Sequence, residues 1–158
     1  MIIAVFGAPL AGKTTILNKL AKSVGVKPSI RRVESDGEHH FPHIVLDLAM
    51  PNGITLSTIP GSFWDFSVWV KVLTPAEAIM LVVDAQGDRN QQHLDLVRPL
   101  ALTRRGCIGE SKLDLRRFGP GGESWLKSAE LQSPFCDWPR FTNDPASVAE
   151  AIAALTTL

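Results

Sequence analysis

The feature that most constrains this chain is a glycine-rich turn near its start, between an apolar run and a helical pattern. Gly7 is followed, after four intervening residues, by Gly12, Lys13 and Thr14. Glycines at this spacing let backbone N–H groups turn inward around phosphate oxygens, and the N-terminal end of the helix adds its positive dipole. The lysine reaches the outer phosphates, and the threonine hydroxyl is a ligand for Mg²⁺. The pattern therefore predicts a site for the phosphates of a nucleotide.

The candidate binding residues cover the whole turn and the start of the helix. They are Gly7, Ala8, Pro9, Leu10, Ala11, Gly12, Lys13, Thr14 and Thr15. Lys13 and Thr14 are also assigned to catalysis, because they act on the charge and the metal at the outer phosphate, and Thr14 is a predicted metal ligand. The alternative is a tight strand-to-helix turn without a ligand. Motif and context both disfavour that alternative.

Strand-like and helix-like segments alternate along the chain. Strands are predicted at residues 2–6, 43–49, 54–59, 78–83, 106–110 and 134–136, and helices at 13–24, 90–101, 125–131 and from 145 onward. Asn52-Gly53 between two β-rich runs indicates a hairpin. Residues 27–40 show no clear period and are interpreted as a loop. The prediction is one α/β domain over residues 1–158, with a doubly wound, mostly parallel sheet, one antiparallel hairpin strand and helices on both faces.

Composition excludes several classes of protein. Sixteen basic residues balance sixteen acidic ones, so a broad electrostatic attraction to nucleic acid or to an acidic membrane is not expected. Two cysteines cannot staple a domain of 158 residues. The apolar runs end well before the ~20 residues that span a bilayer, and the run at the start is shorter than the core of a signal peptide. A cytoplasmic protein without an integral membrane segment is therefore expected.

The order and spacing of the motifs resemble the Ras-like small GTPases, and within them most closely the bacterial MglA-type enzymes. The resemblance runs from the glycine-rich turn through the polar loop and the hairpin to Thr58-Ile-Pro-Gly61, the strand that ends at Asp84, and Ser111-Lys-Leu-Asp114. It covers most of the chain. It implies a Ras-like fold, GTP and GDP as ligands, and Mg²⁺ as cofactor.

The Ser-Lys-Leu-Asp segment looks like the guanine-reading N-K-x-D element of that family, with Ser111 in place of Asn. A carboxylate at Asp114 would accept from both N1–H and the exocyclic amine of guanine, and adenine would leave it unpaired. Lys112 would lie along the base. The alternative is a solvated lysine and aspartate on a loop. The last family element, a backbone donor to the base, is expected near Cys136.

The resemblance also implies how the γ-phosphate is sensed. Thr58 stands at the Asp position of the family's D-x-x-G element, as it does in MglA-type enzymes, and Gly61 would donate its backbone N–H to the γ-phosphate. Ser62 follows where a small GTPase usually has the glutamine that orients the attacking water. A serine hydroxyl is shorter than that side chain. Hydrolysis is therefore expected to be slow or to depend on a partner.

Three residues of the polar loop are further candidates. Arg31 and Arg32 could stabilise transition-state charge in cis, although exposed arginines are common and two solvated side chains are the alternative. Ser35 is the nearest hydroxyl to the position of the family's Mg²⁺-binding threonine in this loop.

The expected function is a guanine-nucleotide-binding switch with weak or partner-dependent GTP hydrolysis. A regulator or effector is expected to bind through residues 29–40 and 61–73, because apolar residues cover nearly all sides of the second segment; some of Phe63, Trp64, Phe66 and Trp69 should face outward. A homodimer is also possible. The alternatives are a nucleotide or small-molecule kinase with the same phosphate grip, and a degenerate interaction module that retains its nucleotide.

Overall fold

The structure is a computed structural model that describes residues 1–7, 12–36, 42–58, 66–84, 90–111 and 133–157. Its strands are β1 (Ile2–Gly7), β2 (Ser29–Glu34), β3 (Pro42–Ala49), β4 (Thr55–Thr58), β5 (Ala78–Asp84), β6 (Arg105–Ser111) and β7 (Arg140–Phe141). Its α-helices are α1 (Lys13–Val24), α2 (Phe66–Leu73), α3 (Asn90–Ala101) and α4 (Pro145–Thr156). A 3₁₀ helix spans Phe135–Asp137. The helix predicted at 125–131 lies outside the described residues.

All these strands form one sheet in the order β2-β3-β4-β1-β5-β6-β7. β2 and β3 pair antiparallel, as do β3 and β4, whereas β1 pairs parallel with both β4 and β5. β6 is parallel to β5 and to β7. The predicted mostly parallel α/β sheet with an antiparallel hairpin is thus confirmed. A membrane-crossing helix is not among the elements that the structure describes.

β1 is the central strand, and both of its faces are buried. Ile3 and Val5 face the layer formed by α1 and α4, whereas Ala4 and Phe6 face the layer formed by α2 and α3. None of these four side chains is more than 1% exposed. A strand covered on both sides reads as a continuous apolar run, which is why the sequence predicts it clearly.

Local signals predicted several ends correctly. α1 stops at Gly25, which has a φ of 71° and donates its N–H to the carbonyl of Ala21, the left-handed ending that glycine favours. The hairpin between β3 and β4 turns at Asn52-Gly53, where Gly53 has a φ of 82°. The weakly predicted strand near residues 106–110 is β6.

The interpretation of residues 27–40 as a loop is wrong for Ser29–Glu34, which form β2. β2 pairs with β3 over its whole length, with Ser29 opposite Asp47 and Glu34 opposite Pro42. Val33 is its single buried residue. Because β2 is an edge strand exposed on both faces, its sequence lacks the apolar alternation that identifies a strand.

The strand predicted at residues 134–136 is also wrong. Phe135–Asp137 form the 3₁₀ helix, and β7 begins four residues later than Cys136. Phe135 is buried and meets Trp138 edge-to-face, with ring centroids 5.1 Å apart. The apolar residues here therefore pack locally across a turn rather than alternating along a strand.

Trp69 on α2 is a core residue and not an exposed anchor. It is 3% exposed, and its ring meets Phe6 of β1 edge-to-face with centroids 4.9 Å apart. The exposed apolar side chain of the same helix is Val70, at 44%. Phe63, Trp64 and the side chain of Phe66 lie outside the described residues.

We expect Trp69→Ala to lower the free energy of unfolding by about 3–5 kcal/mol, because it opens a cavity beside the central strand. The neighbouring change Val70→Ala should have an effect of less than about 1 kcal/mol, since that side chain is already largely in water. Urea denaturation of the two variants measures both. A Trp69→Ala variant as stable as Val70→Ala would contradict the placement of Trp69 in the core.

Candidate functional site

The candidate site lies where the parallel strands β1, β4, β5 and β6 end. Gly7 closes β1, Thr58 closes β4, and Asp84 of β5 is directly opposite Ser111 of β6. The chain runs from β1 toward β2 on one side of the sheet and from β5 toward β6 on the other. Ligands of open α/β sheets bind beside such a change of direction, beyond the carboxyl ends of the strands. The structure therefore brings the separate sequence motifs to one edge.

Gly7 allows the turn to begin close to the neighbouring strand. A Cβ atom at this position would collide with the backbone carbonyl of Val82 on β5. The carbonyl oxygen of Gly7 accepts a hydrogen bond from Nζ of Lys13, at 2.6 Å. The two ends of the glycine-rich turn are thus joined directly. Residues 8–11 between them lie outside the described part of the chain.

Lys13 is a buried ammonium group. It is 8% exposed, and burial lowers its pKa from 10.5 to about 8. Burial disfavours the charged form because the ammonium gives up water. An anion placed beside Nζ would restore that lost stabilisation and raise the pKa again. The group is therefore suited to bind phosphate.

The start of α1 presents further donors to the same edge. Gly12 precedes the helix with a φ of 94°, a left-handed conformation that suits glycine, and its carbonyl accepts from the N–H of Ile16. Thr14 and Thr15 follow in the first turn, and both are exposed. The hydroxyl of Thr14 is thus accessible to a ligand next to the buried Lys13.

Thr58 is buried at the end of β4. It is 8% exposed, and its Oγ1 donates to the carbonyl of Leu46 on β3, at 3.1 Å. The hydroxyl therefore holds the hairpin together at the position where the resemblance would place a carboxylate. Gly61 and Ser62 lie outside the described residues, so their predicted roles remain predictions.

Arg31 forms a two-point ion pair with Asp47 across β2 and β3. Its Nε lies 2.7 Å from Oδ2, and its Nη2 donates to Oδ1 at 3.3 Å. The hydrogen bonds that Arg31 donates to Asp47 raise the pKa of Arg31, and Oδ1 also accepts from Oγ of Ser57 at 2.7 Å. A catalytic role would require Arg31 to leave this carboxylate. Arg32 is exposed on the opposite face of β2.

Ser35 lies just beyond β2 and is 6% exposed. β3 and β4 stand between β2 and β1, which corresponds to roughly 14 Å at three strand spacings. The strands from which Ser35 and Thr14 follow are therefore not adjacent in the sheet. The predicted role of Ser35 as a metal ligand stays a prediction.

The corner at residues 34–36 is held by α2. The N–H of Asp36 donates to Oγ of Ser67 at 3.0 Å. Nζ of Lys71 donates to the carbonyl of Glu34 and to the carboxylate of Asp36, both at 2.8 Å. These partners are more than 30 residues apart in sequence, so no local pattern could have predicted them.

The predicted role of Cys136 stays a prediction. Cys136 is exposed on the 3₁₀ helix that precedes β7, whereas the carboxyl end of β7 is Phe141. The expectation of a base-contacting donor near Cys136 came from the family resemblance. Residues 142–144 follow β7 at the correct edge, with the N–H of Thr142 bonded to Oγ of Ser147 at 2.9 Å. Lys112 and Asp114 lie outside the described residues.

Comparisons with solved structures find the same architecture. The chain matches a bacterial selenocysteine-specific elongation factor, EF-Sec, with a TM-score of 0.62 and 16% identity, over 98% of this chain and 28% of that one. It matches a variant of Aquifex aeolicus Era, in a structure bound to GDP and AlF4⁻, with a TM-score of 0.60 and 18% identity, over 97% of this chain and 54% of that one. The chain has a Ras-like GTPase fold. It spans only part of the length of these proteins, and no family model or curated protein sequence matches it.

Because the chain has only two cysteines, thiol labelling can test whether Cys136 lies near the nucleotide site. Cys107 is buried and burial raises the pKa of its thiol, so a thiol reagent should label Cys136 alone. We expect the labelling rate of Cys136 to be the same with and without saturating GDP, since the residue lies away from the edge described above. The reaction is followed by absorbance, with the Cys136→Ser variant as control for Cys107. Protection of Cys136 by GDP would contradict this placement.

Proposed function

We propose that this chain is a guanine-nucleotide-binding switch of Ras-like type, similar to the bacterial MglA-type GTPases. The observation that carries the proposal is the buried ammonium group of Lys13. It donates a hydrogen bond to the carbonyl of Gly7 at the carboxyl edge of the sheet, and its burial lowers its pKa. The likeness in fold to a protein solved with GDP supports the same ligand class. The sequence supports the same proposal, since four residues separate Gly7 from Gly12 and Lys13 follows directly.

The residues at this edge fit a magnesium-bound nucleotide. Lys13 would neutralise the outer phosphates, and the exposed Thr14 would provide a metal ligand at the start of α1. Magnesium, when bound, supplies positive charge against the phosphate oxygens. In the part of the chain that the structure describes, no group of three or more His, Cys, Asp or Glu side chains could hold a metal by itself, which agrees with a metal that binds together with the nucleotide.

Guanine selectivity would come from the residues that follow β6 and β7. We assign the bidentate contact with the base to Asp114, with Lys112 along the ring. Residues 142–144, rather than Cys136, would close the site beside the base, because they follow the carboxyl end of β7.

Hydrolysis in the isolated protein should be slow. Ser62 replaces the water-orienting glutamine, and Arg31 is bound to Asp47 rather than directed at the phosphate edge. A partner that binds through residues 29–40 and 61–73 would have to supply or rearrange the missing groups.

Nucleotide binding is tested by titration calorimetry of GDP, GTP and ATP. We expect selective binding of guanine nucleotides that Lys13→Met abolishes and that Lys19→Met, an exposed lysine of the same helix, leaves unchanged. In the protein without nucleotide the pKa of Lys13 is about 8, and a bound phosphate raises it. Lys13 therefore loses its proton between about pH 7 and about pH 8.5 in the nucleotide-free protein only, and GDP should bind about fourfold more weakly at the higher pH.

Three outcomes would contradict the binding proposal. Equal affinity for ATP would favour a kinase-type site, and unchanged binding in Asp114→Ala would remove the assigned guanine contact. Binding that survives Lys13→Met would place the phosphates elsewhere. Circular dichroism of each variant confirms that loss of binding is not loss of fold.

The hydrolysis proposal is tested by single-turnover measurement of phosphate release from GTP. We expect a rate below the intrinsic rate of about 10⁻⁴ s⁻¹ of a small GTPase that has the glutamine. Ser62→Gln should raise that rate without changing GTP affinity. An ordinary intrinsic rate in the unmodified protein would contradict a compromised catalytic step.

A further inference from the structure

A cavity opens at the amino edge of the sheet, at the end opposite to the candidate nucleotide site. Its volume is about 470 Å³, and it lies where β1, β4, β5 and β6 begin and where α4 ends. Cavities of about 300–1,000 Å³ accommodate small molecules. β1 runs from this edge to the glycine-rich turn in 6 residues, or roughly 17 Å at the rise of a parallel strand. The cavity is therefore separate from the candidate nucleotide site.

Arg105, the first residue of β6, lines this cavity. Its Nη1 donates to the carbonyl of Leu155 at 2.9 Å, in the last turn of α4. That bond holds the guanidinium at the negative end of a helix and uses one of its N–H groups. Among the described residues, Arg105 has no carboxylate partner. The other N–H groups therefore suit the carboxylate of a ligand, which a guanidinium binds through parallel hydrogen bonds.

Glu77, which precedes β5, provides a carboxylate on the same lining. Its Oε1 accepts the N–H of Ile2 at 3.3 Å and lies 3.8 Å from the terminal ammonium of Met1. Its Oε2 has no hydrogen-bond partner in the part of the chain that the structure describes, and the side chain is 64% exposed. Glu77 therefore keeps an acceptor for an N–H or O–H group of a ligand.

Arg105 and Glu77 are close enough to contact one small molecule. Ala78 is opposite Arg105 on the adjacent parallel strand, about 4.8 Å away, and Glu77 directly precedes Ala78. The two side chains are not paired with each other within the described ranges. A small molecule can therefore bridge them, with a carboxylate on Arg105 and a hydrogen-bond donor on Glu77.

The charges of the whole lining determine the class of ligand. In the described part of the chain these charges are the terminal ammonium of Met1, the carboxylate of Glu77 and the guanidinium of Arg105. The ammonium and Glu77 offset each other, so Arg105 is the group that attracts an anion. A simple cation would face two positive groups. An anion without a donor would place its own charge beside Oε2 of Glu77 and leave that oxygen unpaired.

The cavity also has an apolar part. Ile54 lies on its lining and is 5% exposed, as a member of the core between the sheet and the layer of α1 and α4. Met1 packs against the same core. An apolar group of a ligand can therefore be covered at the base of the cavity.

We infer that this cavity binds a small organic acid with a hydrogen-bond donor on the carbon next to its carboxylate, as in α-amino acids and α-hydroxy acids. The carboxylate binds Arg105, the ammonium or hydroxyl donates to Oε2 of Glu77, and an apolar side chain packs against Ile54. This inference uses no residue of the candidate nucleotide site, so it stands or fails independently of the proposed function.

The ligand class is tested by NMR titration of the folded, ¹⁵N-labelled full chain with L-leucine and with 2-hydroxy-4-methylpentanoate. These two acids differ only in the donor, and a panel of the other apolar amino acids and their hydroxy analogues covers other sizes of side chain. We expect saturable shifts of the amide signals of Gly53, Glu77 and Arg105. Two analogues should bind at least about tenfold more weakly: 4-methylpentanoate, which lacks the donor, and 3-methylbutylamine, which lacks the carboxylate.

Variants locate the site. Arg105→Gln and Glu77→Gln should each weaken binding of the acid at least about tenfold. Lys22→Gln is the matched control, because Lys22 is exposed in the last turn of α1 and does not line the cavity. Lys13→Met should keep acid binding, and Arg105→Gln should keep GDP binding, so failure of one proposal is distinct from failure of the other. The ¹⁵N spectrum of each variant confirms its fold.

Three results would overturn the inference. One is the absence of saturable shifts at these amides with every member of the panel. The second is binding of 4-methylpentanoate or 3-methylbutylamine as tight as that of the complete acids. The third is a loss of affinity in Arg105→Gln no larger than in Lys22→Gln.

Discussion

An ammonium group buried in a protein is unfavourable unless polar groups replace the water it has lost. Nζ of Lys13 is in this position at the start of α1, and its hydrogen bond to the carbonyl oxygen of Gly7 ties the helix to the end of β1. That bond places Nζ beside the last residue of β1. The chain therefore holds a buried positive charge at the carboxyl edge of the sheet, and burial lowers the pKa of Lys13 to about 8.

The sheet determines what else can act at this place. β1 is buried on both faces, so the layers of α1 with α4 and of α2 with α3 fix its position from both sides. Parallel pairing with β4 and β5 then brings the ends of these two strands to the same edge as Gly7. Because β6 continues this ladder, Ser111 reaches that edge as well. Segments that are far apart in sequence are thus close enough at this edge to contact one ligand.

The sequence predicted those elements whose signals are local, and it missed those whose stabilising contacts are distant. The spacing of Gly7 and Lys13 is required by the turn between β1 and α1, and the continuous apolar runs of β1 and β5 are required by burial on both faces. Each of these signals lies within one short segment, so the sequence alone predicts the turn and the two strands. β2 has no such pattern, because only Val33 is buried and the strand depends on pairing with β3. β7 has two residues, too few to show a period. The strand predicted at residues 134–136 was therefore misplaced.

The roles of side chains were harder to predict than the helices and strands, since the role of a side chain depends on the residue that it contacts in the folded chain. Arg31 belongs to a residue type that can stabilise transition-state charge, but the register between β2 and β3 places it beside Asp47. Trp69 has the aromatic character of an interface anchor, but the contact with Phe6 assigns it to the core. For Trp69 the residue type allowed two roles, and the contact with β1 selected one of them. The catalytic role of Arg31 stays a prediction.

The bonds from α2 to residues 34–36 connect the two segments assigned to partners. Ser67 and Lys71 hold the end of β2 through the N–H of Asp36, its carboxylate and the carbonyl of Glu34. The ion pair of Lys71 and Asp36 is largely exposed, so it contributes little by itself, and the backbone contacts fix the geometry. A displacement of α2 must either break these bonds or carry the end of β2 with it. A partner that displaces one of the two segments would therefore act on the other through the same bonds.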